Sequence, residues 1–217
     1  VWYLPYIVTP SPLRKKRKSG FLTPSINFNF FDTQVSQSTS FPYYFNIDID
    51  KELTFTPIFN YGAGVDSSQR ILIDYNQLLS GGNLKLNYSM DTKLENQNNE
   101  NWFKDASIIA KYNQNLNETY NLTIDTALQT STKYLQTTDP NNKLSYATSL
   151  STSLNLNGYR IRNENDILKL NLSTYQVLQN SEDNKTTPTV LPFLTYKTGN
   201  KLYQNINYEN SFQIYNI

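Results

Sequence analysis

The chain has 217 residues, of which 38% are hydrophobic and 14% aromatic, and its net charge is +1 at pH 7. It contains no cysteine and no histidine, which excludes disulfides, thiol nucleophiles, serine–histidine–aspartate triads and zinc fingers within these residues. No run approaches 18 consecutive apolar residues, so a helical membrane span is excluded. The 17 tyrosines and 11 phenylalanines argue against disorder, and such a composition suits a sheet with one face toward lipid and one toward water.

The first 20 residues are predicted to stand apart from the rest. Residues 1–9 indicate a short strand, which a Pro-Ser-Pro linker and a dense basic run follow; the basic run comprises Arg14, Lys15, Lys16, Arg17 and Lys18. We expect the chain to be a piece of a longer protein, with residues 1–9 as the last strand of a preceding domain.

Beyond residue 20, apolar and polar residues alternate with a period of two, which is typical of β-strands with one buried face. The pattern predicts eleven strands at 22–32, 35–47, 51–61, 69–79, 82–92, 104–115, 118–129, 143–156, 166–179, 188–197 and 201–214. Many of these runs have about the 9 to 11 residues that a tilted strand needs to cross a bilayer. The match in length favours a membrane barrel over a soluble sandwich.

The connections predict which side of the membrane each one faces. Tight turns are predicted at Asp48-Ile49-Asp50, Ser80-Gly81-Gly82, Asn115-Leu116-Asn117, Asn157-Gly158 and Thr198-Gly199-Asn200. Longer polar links are predicted at 62–68, 93–103, 130–142 and 180–187. Because outer-membrane barrels have short periplasmic turns and long extracellular loops, we assign the tight turns to the periplasm.

These patterns predict an all-β fold, an antiparallel up-and-down meander of about eleven strands. The meander forms part of an outer-membrane transmembrane β-barrel that these residues do not close. The predicted domains are residues 1–20, the end of a periplasmic domain with its basic linker, and residues 21–217, the N-terminal portion of the barrel.

Four short motifs carry a resemblance to a known family. In chain order they are Tyr3-Leu4-Pro5-Tyr6, Arg17-Lys18-Ser19-Gly20-Phe21-Leu22-Thr23-Pro24, Phe41-Pro42-Tyr43-Tyr44-Phe45-Asn46-Ile47 and Leu53-Thr54-Phe55-Thr56-Pro57. The segment from 3 to 57 resembles the LptD family of lipopolysaccharide-assembly proteins, and beyond it only strand pattern and spacing agree. In that family the corresponding segment joins a periplasmic β-jellyroll to the first strands of a large outer-membrane barrel.

The resemblance implies transport of lipopolysaccharide to the outer leaflet of a Gram-negative outer membrane, with no covalent bond made or broken. It implies no enzymatic activity, no cofactor and no metal. The implied partners are lipopolysaccharide, an LptE-like plug lipoprotein, an LptA-like periplasmic bridge protein and outer-membrane lipids. The family's lateral gate, a weak seam between the first strands and the last, is carried over to Pro24 and Pro42.

The two prolines also have a physical reading that is independent of the family. Proline has no N–H to donate to a strand ladder, and each lost bond removes about 0.5 to 1.5 kcal/mol of net stabilisation. The alternative is that Pro24 and Pro42 mark bulges or strand ends, since Pro57 and Pro192 also lie in strand-like runs.

For the basic run, we predict attraction of phosphorylated lipid A or anionic headgroups at the periplasmic mouth of the barrel. The alternative is a solvated basic linker. Nucleic acid is not a predicted partner, because no second basic patch with interleaved aromatic residues follows.

Two other classes of protein remain open from the residues alone. One is a general porin or transporter barrel in which the prolines are incidental, and the other is a soluble β-sandwich that binds carbohydrate. Three carboxylates on polar strand faces are predicted to be lumen-facing and not catalytic: Asp74, Asp91 and Asp125.

Overall fold

A computed structural model describes residues 17–31, 34–62, 68–93, 103–178, 190–203 and 206–215. The described part of the chain consists almost entirely of β-strands. The predicted strand at residues 1–9 lies outside the described residues, as do Arg14, Lys15 and Lys16 of the basic run.

The first four strands have 2 to 7 residues each, and the nine that follow have 10 to 14. They are β1 (Gly20–Phe21), β2 (Ser25–Phe31), β3 (Gln34–Ser40), β4 (Tyr43–Asp48), β5 (Lys51–Gly62), β6 (Ser68–Leu79), β7 (Gly82–Lys93), β8 (Phe103–Asn115), β9 (Tyr120–Gln129), β10 (Ser149–Tyr159), β11 (Ile167–Val177), β12 (Val190–Tyr203) and β13 (Ile206–Tyr215). The described helix is one short segment, α1 (Tyr134–Thr138), in the connection between β9 and β10.

The strands form one 13-stranded sheet in the order β1-β4-β5-β6-β7-β8-β9-β10-β11-β12-β13, and β3 pairs with both β2 and β5. From β4 onward consecutive strands are neighbours, and β1 with β2 and β3 with β4 act as two interrupted strands at the start, so the topology is the predicted up-and-down meander. Among the described strands, none joins β1 or β2 to β13, and the sheet is therefore open. This arrangement confirms the predicted fold class and is consistent with part of a β-barrel.

The predicted alternation corresponds to two chemically different faces. In the first part of the sheet, Leu53 pairs with Tyr75 and Phe55 with Ile73, so these apolar residues share one face. Between them, the pair Thr54 and Asp74 lies on the opposite, polar face. A similar division holds for β10 and β11, where pairs of leucines alternate with pairs of serines and asparagines.

The chain divides into two compact units. The first comprises the described residues up to Leu78, those of Lys85–Ile108, and Gln129–Ser131; the second comprises Leu79–Leu84, Ile109–Leu128 and the described residues from Thr132 onward. The buried apolar cluster of the second unit consists of Ala127, Leu135 and Leu150, with Leu150 fully buried. Leu135 lies on α1, so the connection between β9 and β10 packs against the strands that it joins.

Three predicted elements differ from the structure. The strand predicted at 143–156 begins at Ser149, because residues 143–148 form turns within the connection that carries α1. The turn predicted at Asn157-Gly158 lies inside β10, and the connection follows at 160–166. The turn predicted at Thr198-Gly199-Asn200 lies inside β12, which continues to Tyr203. In both cases a glycine faces a close neighbour across the sheet: the Tyr120 ring at Gly158 and the Tyr208 carbonyl at Gly199.

Candidate functional site at the interrupted first strands

The first and second strands of the meander are each interrupted, and the interruptions contain Pro24 and Pro42, the two prolines of the predicted gate. The first strand consists of β1 and β2, separated by residues 22–24, and Pro24 directly precedes β2. The second consists of β3 and β4, separated by Phe41 and Pro42. The structure therefore describes thirteen strands where eleven were predicted. The strand predicted at 35–47 is divided into β3 and β4, and β1 precedes the strand predicted at 22–32, which begins only at Ser25 as β2.

The two breaks face each other across the sheet. On one side of the breaks Phe21 pairs with Tyr43, and on the other side Ser25 pairs with Ser40. Residues 22–24 of the first strand therefore oppose only residues 41–42 of the second. This extra residue makes the break a bulge, which leaves one residue without a partner and disrupts the ladder locally.

Pro42 removes a specific bond from this ladder. The backbone N–H of Leu22 donates to the carbonyl oxygen of Pro42 over 2.9 Å. In a hydrogen-bonded antiparallel pair the second residue returns an N–H bond to the first. Pro42 has no N–H, so the pair of Leu22 and Pro42 is joined by one bond instead of two.

The half of the first strand before the break is joined to the sheet over a short length. β1 pairs with β4 only through Gly20 with Tyr44 and Phe21 with Tyr43, whereas β2 pairs with β3 over seven residues. One further bond comes from the backbone N–H of Asn46, which donates to the Ser19 hydroxyl over 2.8 Å.

Aromatic rings surround the break on the apolar face. Phe21 and Tyr43 contact edge to face with ring centroids 4.9 Å apart, and the centroids of Tyr43 and Phe45 are 4.5 Å apart. Phe21 is 55% exposed, and Ile26 and Phe28 beyond the break are exposed to a similar degree. These exposed apolar side chains form a surface that acyl chains can contact.

The basic run is described only at Arg17 and Lys18. The Arg17 guanidinium lies 2.7 Å from a carboxylate oxygen of Glu52 on the polar face of β5, and the Tyr44 hydroxyl donates to the same oxygen over 2.9 Å. The Arg17 side chain is 70% exposed. An ion pair this exposed contributes about 0 to 1 kcal/mol, so another anion can replace Glu52 at little cost.

Glu52 was not among the residues singled out from the sequence. Its place on the polar face is readable from the alternation of β5, but its contact with Arg17 joins residues 35 apart in the chain. A contact between residues so far apart in the chain leaves no signal in a local sequence pattern.

The carboxylates predicted to be lumen-facing have polar or charged neighbours. Asp91 forms a two-pronged ion pair with Arg70, in which Nε lies 2.6 Å from Oδ1 and Nη2 lies 2.9 Å from Oδ2. The Asn87 amide donates to Asp74, and the Lys111 ammonium lies 4.0 Å from Asp125. The first two contacts hold Asp91 and Asp74 within the sheet, whereas the Lys111–Asp125 pair, with side chains 70% and 45% exposed, contributes little.

The helical residues that the structure describes do not include a segment that could span a membrane.

Part of the chain is similar to proteins named LPS-assembly protein LptD. The alignment with that of Shewanella sp. strain MR-4 is 38% identical over 96 residues and covers 37% of this chain and 12% of the relative. Alignments of 65 residues are 37% identical to LptD of Hahella chejuensis and 42% identical to LptD of Shewanella frigidimarina, and each covers 30% of this chain and 8% of the relative.

No protein-family model matches the chain. The matches confirm the resemblance drawn from the four motifs, and the matched region spans about an eighth or less of the length of these relatives.

Proposed function

We propose that this chain is part of a lipopolysaccharide-assembly protein in the outer membrane of a Gram-negative bacterium. Two observations support the proposal: the similarity to LptD proteins and the open up-and-down sheet with one apolar and one polar face. In this role residues 21–217 are the N-terminal portion of the barrel. Residues 1–20 are the end of a periplasmic jellyroll and its basic linker.

The finer proposal is a lateral gate at Pro24 and Pro42, and the opposed breaks in the first two strands are the observation that carries it. Because the ladder is interrupted at one level in both strands, this edge of the sheet separates at a lower cost than an unbroken ladder would. The lipid leaves sideways onto the exposed apolar face, while the saccharide stays along the polar face. No covalent bond is made or broken.

The partners in this proposal follow from the route that the substrate takes. Lipopolysaccharide arrives from an LptA-like bridge protein through the jellyroll, an LptE-like lipoprotein occupies the lumen, and outer-membrane lipids surround the apolar face. Failure of the gate would favour the general porin or transporter barrel, in which the prolines are incidental.

Substituting both gate prolines tests the lateral gate. Pro24→Val with Pro42→Val, made in the full-length protein, supplies an N–H at position 42 that faces Leu22 and a second N–H at position 24. Each bond formed strengthens the closed ladder by about 0.5 to 1.5 kcal/mol. We expect lipopolysaccharide to reach the cell surface at least about twofold more slowly, measured by pulse labelling and access of a surface-acting lipid A-modifying enzyme.

Pro192→Val is the matched control for this experiment. Pro192 also lies in a strand, β12, at a register shift in the pairing of β11 with β12. Normal transport in the double variant would contradict the gate. Equal slowing in the Pro192 control would show that the effect is not specific to the seam.

The basic run is proposed to attract the phosphates of lipid A at the periplasmic mouth, which is supported by the exposure of Arg17 and its weak ion pair with Glu52. Replacing all five basic residues with glutamine should weaken lipopolysaccharide binding by the full-length protein and reduce its salt dependence. Glu52→Gln is the control, and it should maintain or strengthen binding because it frees Arg17. Unchanged affinity and salt dependence in the five-residue variant would leave the run as a linker.

A further inference from the structure

A third proline lies beside the two gate prolines, on the next strand of the sheet. The backbone N–H of Phe41 donates to the carbonyl oxygen of Pro57 in β5 over 3.1 Å. The registers on either side of the break, Ser40 with Ile58 and Tyr43 with Phe55, place Phe41 directly opposite Pro57. Pro57 is therefore at the level of the break in the second strand.

The backbone nitrogen of Pro57, which carries no hydrogen, faces the second strand, on the side of the proposed gate. In an antiparallel ladder the N–H and the C=O of one residue face the same neighbouring strand. Since the Pro57 carbonyl accepts from Phe41, its nitrogen also faces the second strand, and it cannot return a bond to Phe41. Pro42 has the same relation to Leu22 one strand earlier.

The ladder on the other side of β5 shows no such break. Pro57 pairs with Ile71 in a register that is continuous from Lys51 to Asn60. The next pair along is Ile58 with Arg70, and Arg70 forms the two-pronged ion pair with Asp91 of β7. The Arg70 and Asp91 side chains are only 16% and 10% exposed, so little water competes for this pair.

We propose that Pro57 is a positioning residue of the gate. Pro57 extends the line of missing N–H donors from the first two strands to β5. The sheet therefore bends along Pro24, Pro42 and Pro57 when the seam opens. The bend ends at β6, where the continuous register and the Arg70–Asp91 pair hold the sheet. This inference rests on the proposed lateral gate and adds that the gate bends at its third strand.

The experiment supplies the missing donor at position 57 in the full-length protein. Pro57→Val places an N–H opposite the Phe41 carbonyl, and valine keeps an apolar side chain on this face. We expect amide hydrogen exchange of a peptide containing Phe41, measured in lipid vesicles, to slow about two- to twelvefold, the effect of one net backbone hydrogen bond. Lipopolysaccharide transport should slow in parallel.

A second variant separates the effect of the N–H from that of the side chain. Incorporating α-hydroxyisovaleric acid at position 57 keeps the valine side chain but replaces the N–H with an ester oxygen, which cannot donate. This variant should restore fast exchange and transport toward the values for proline. Pro192→Val again serves as the control and should leave both measurements near wild type.

Slower exchange with normal transport in Pro57→Val would overturn the proposed role of Pro57, as would unchanged exchange. Failure of the ester variant to restore transport would assign the effect to side-chain packing and also overturn it. The Pro24→Val, Pro42→Val protein distinguishes this failure from failure of the gate itself. If that protein transports normally, the gate and the role of Pro57 both fail; if it is slow, only the role of Pro57 is lost.

Discussion

Asp166 shows how a single carboxylate organises a connection between two strands. It is 1% exposed and accepts hydrogen bonds from the backbone N–H groups of Arg162 and Asn163 and from the Thr198 and Tyr196 hydroxyls. The same connection holds Arg160 at a φ of 55°, a left-handed conformation that is unfavourable for a residue with a long side chain. Asp166 satisfies the turn's N–H groups while tying the turn to β12.

These hydrogen bonds, with that from Thr198 the strongest, hold the pKa of Asp166 below its ordinary value of 3.8, although burial opposes them. A carboxyl with a lowered pKa stabilises the fold above its unfolded pKa, and this stabilisation is lost as the pH falls through the lowered value. The turn should therefore loosen in acid below about pH 3.8.

We predict that Asp166→Asn speeds hydrogen exchange at the Arg162 and Asn163 amides at neutral pH, because the neutral amide is a weaker acceptor. After correction for intrinsic exchange rates, the difference from wild type should shrink as the pH falls below 3.8. Glu164→Gln, which removes an exposed carboxylate from the same turn, is the control. A difference that does not change with pH would contradict the role of the ionised carboxylate.

At the scale of elements, the hairpin between β6 and β7 confirms the predicted tight turn at Ser80-Gly81-Gly82. Gly81 has a φ of +90°, a conformation that favours glycine. Gly82 is needed for another reason: a Cβ there would overlap the carbonyl of Asn113 and lie 2.8 Å from the Cα of Gln114. The turn is also held by the Gln114 amide, which donates to the Ser80 carbonyl over 2.8 Å.

We predict that Gly82→Ala lowers the free energy of unfolding by about 1 to 3 kcal/mol, because the added methyl group forces the adjacent backbone to move. Denaturant titration of the full-length protein in lipid vesicles measures this loss. Ser80→Ala, which keeps the carbonyl that Gln114 uses, should have little effect. A Gly82→Ala protein as stable as wild type would show that the strands separate easily here.

At the scale of the whole molecule, the two faces of the sheet carry different chemistry along its length. Leu154 has Ile124 and Leu172 as cross-strand partners on the apolar face. The adjacent residue Ser153 faces the polar side, opposite Asp125. If the apolar face meets lipid, a charge on it is expensive and a charge on the other face is not.

We predict that Leu154→Lys reduces the stability of the barrel in vesicles by about 2 to 4 kcal/mol, the penalty for lysine facing the middle of a bilayer. Ser153→Lys, at nearly the same depth, should be tolerated because it places the ammonium near Asp125. Equal stability of the two variants would contradict the assignment of the apolar face to lipid.

The sequence by itself determined the fold class, most strand positions and the presence of Pro24 and Pro42 in the first two strands. These depend on local signals: the period of two, which follows from the pleat of a strand, and the missing N–H of proline. The turns predicted at Gly158 and Gly199 were wrong because glycine serves equally in a turn and in a strand where another group comes close.

Only the tertiary structure shows which strand breaks and prolines lie opposite each other in the sheet. The opposition of residues 22–24 to 41–42, the placement of Pro57 opposite Phe41 and the contact of Arg17 with Glu52 all depend on strand register. Register is set by the length of every turn and bulge that precedes it, and one residue more or less exchanges the faces. No single segment of the chain contains that information.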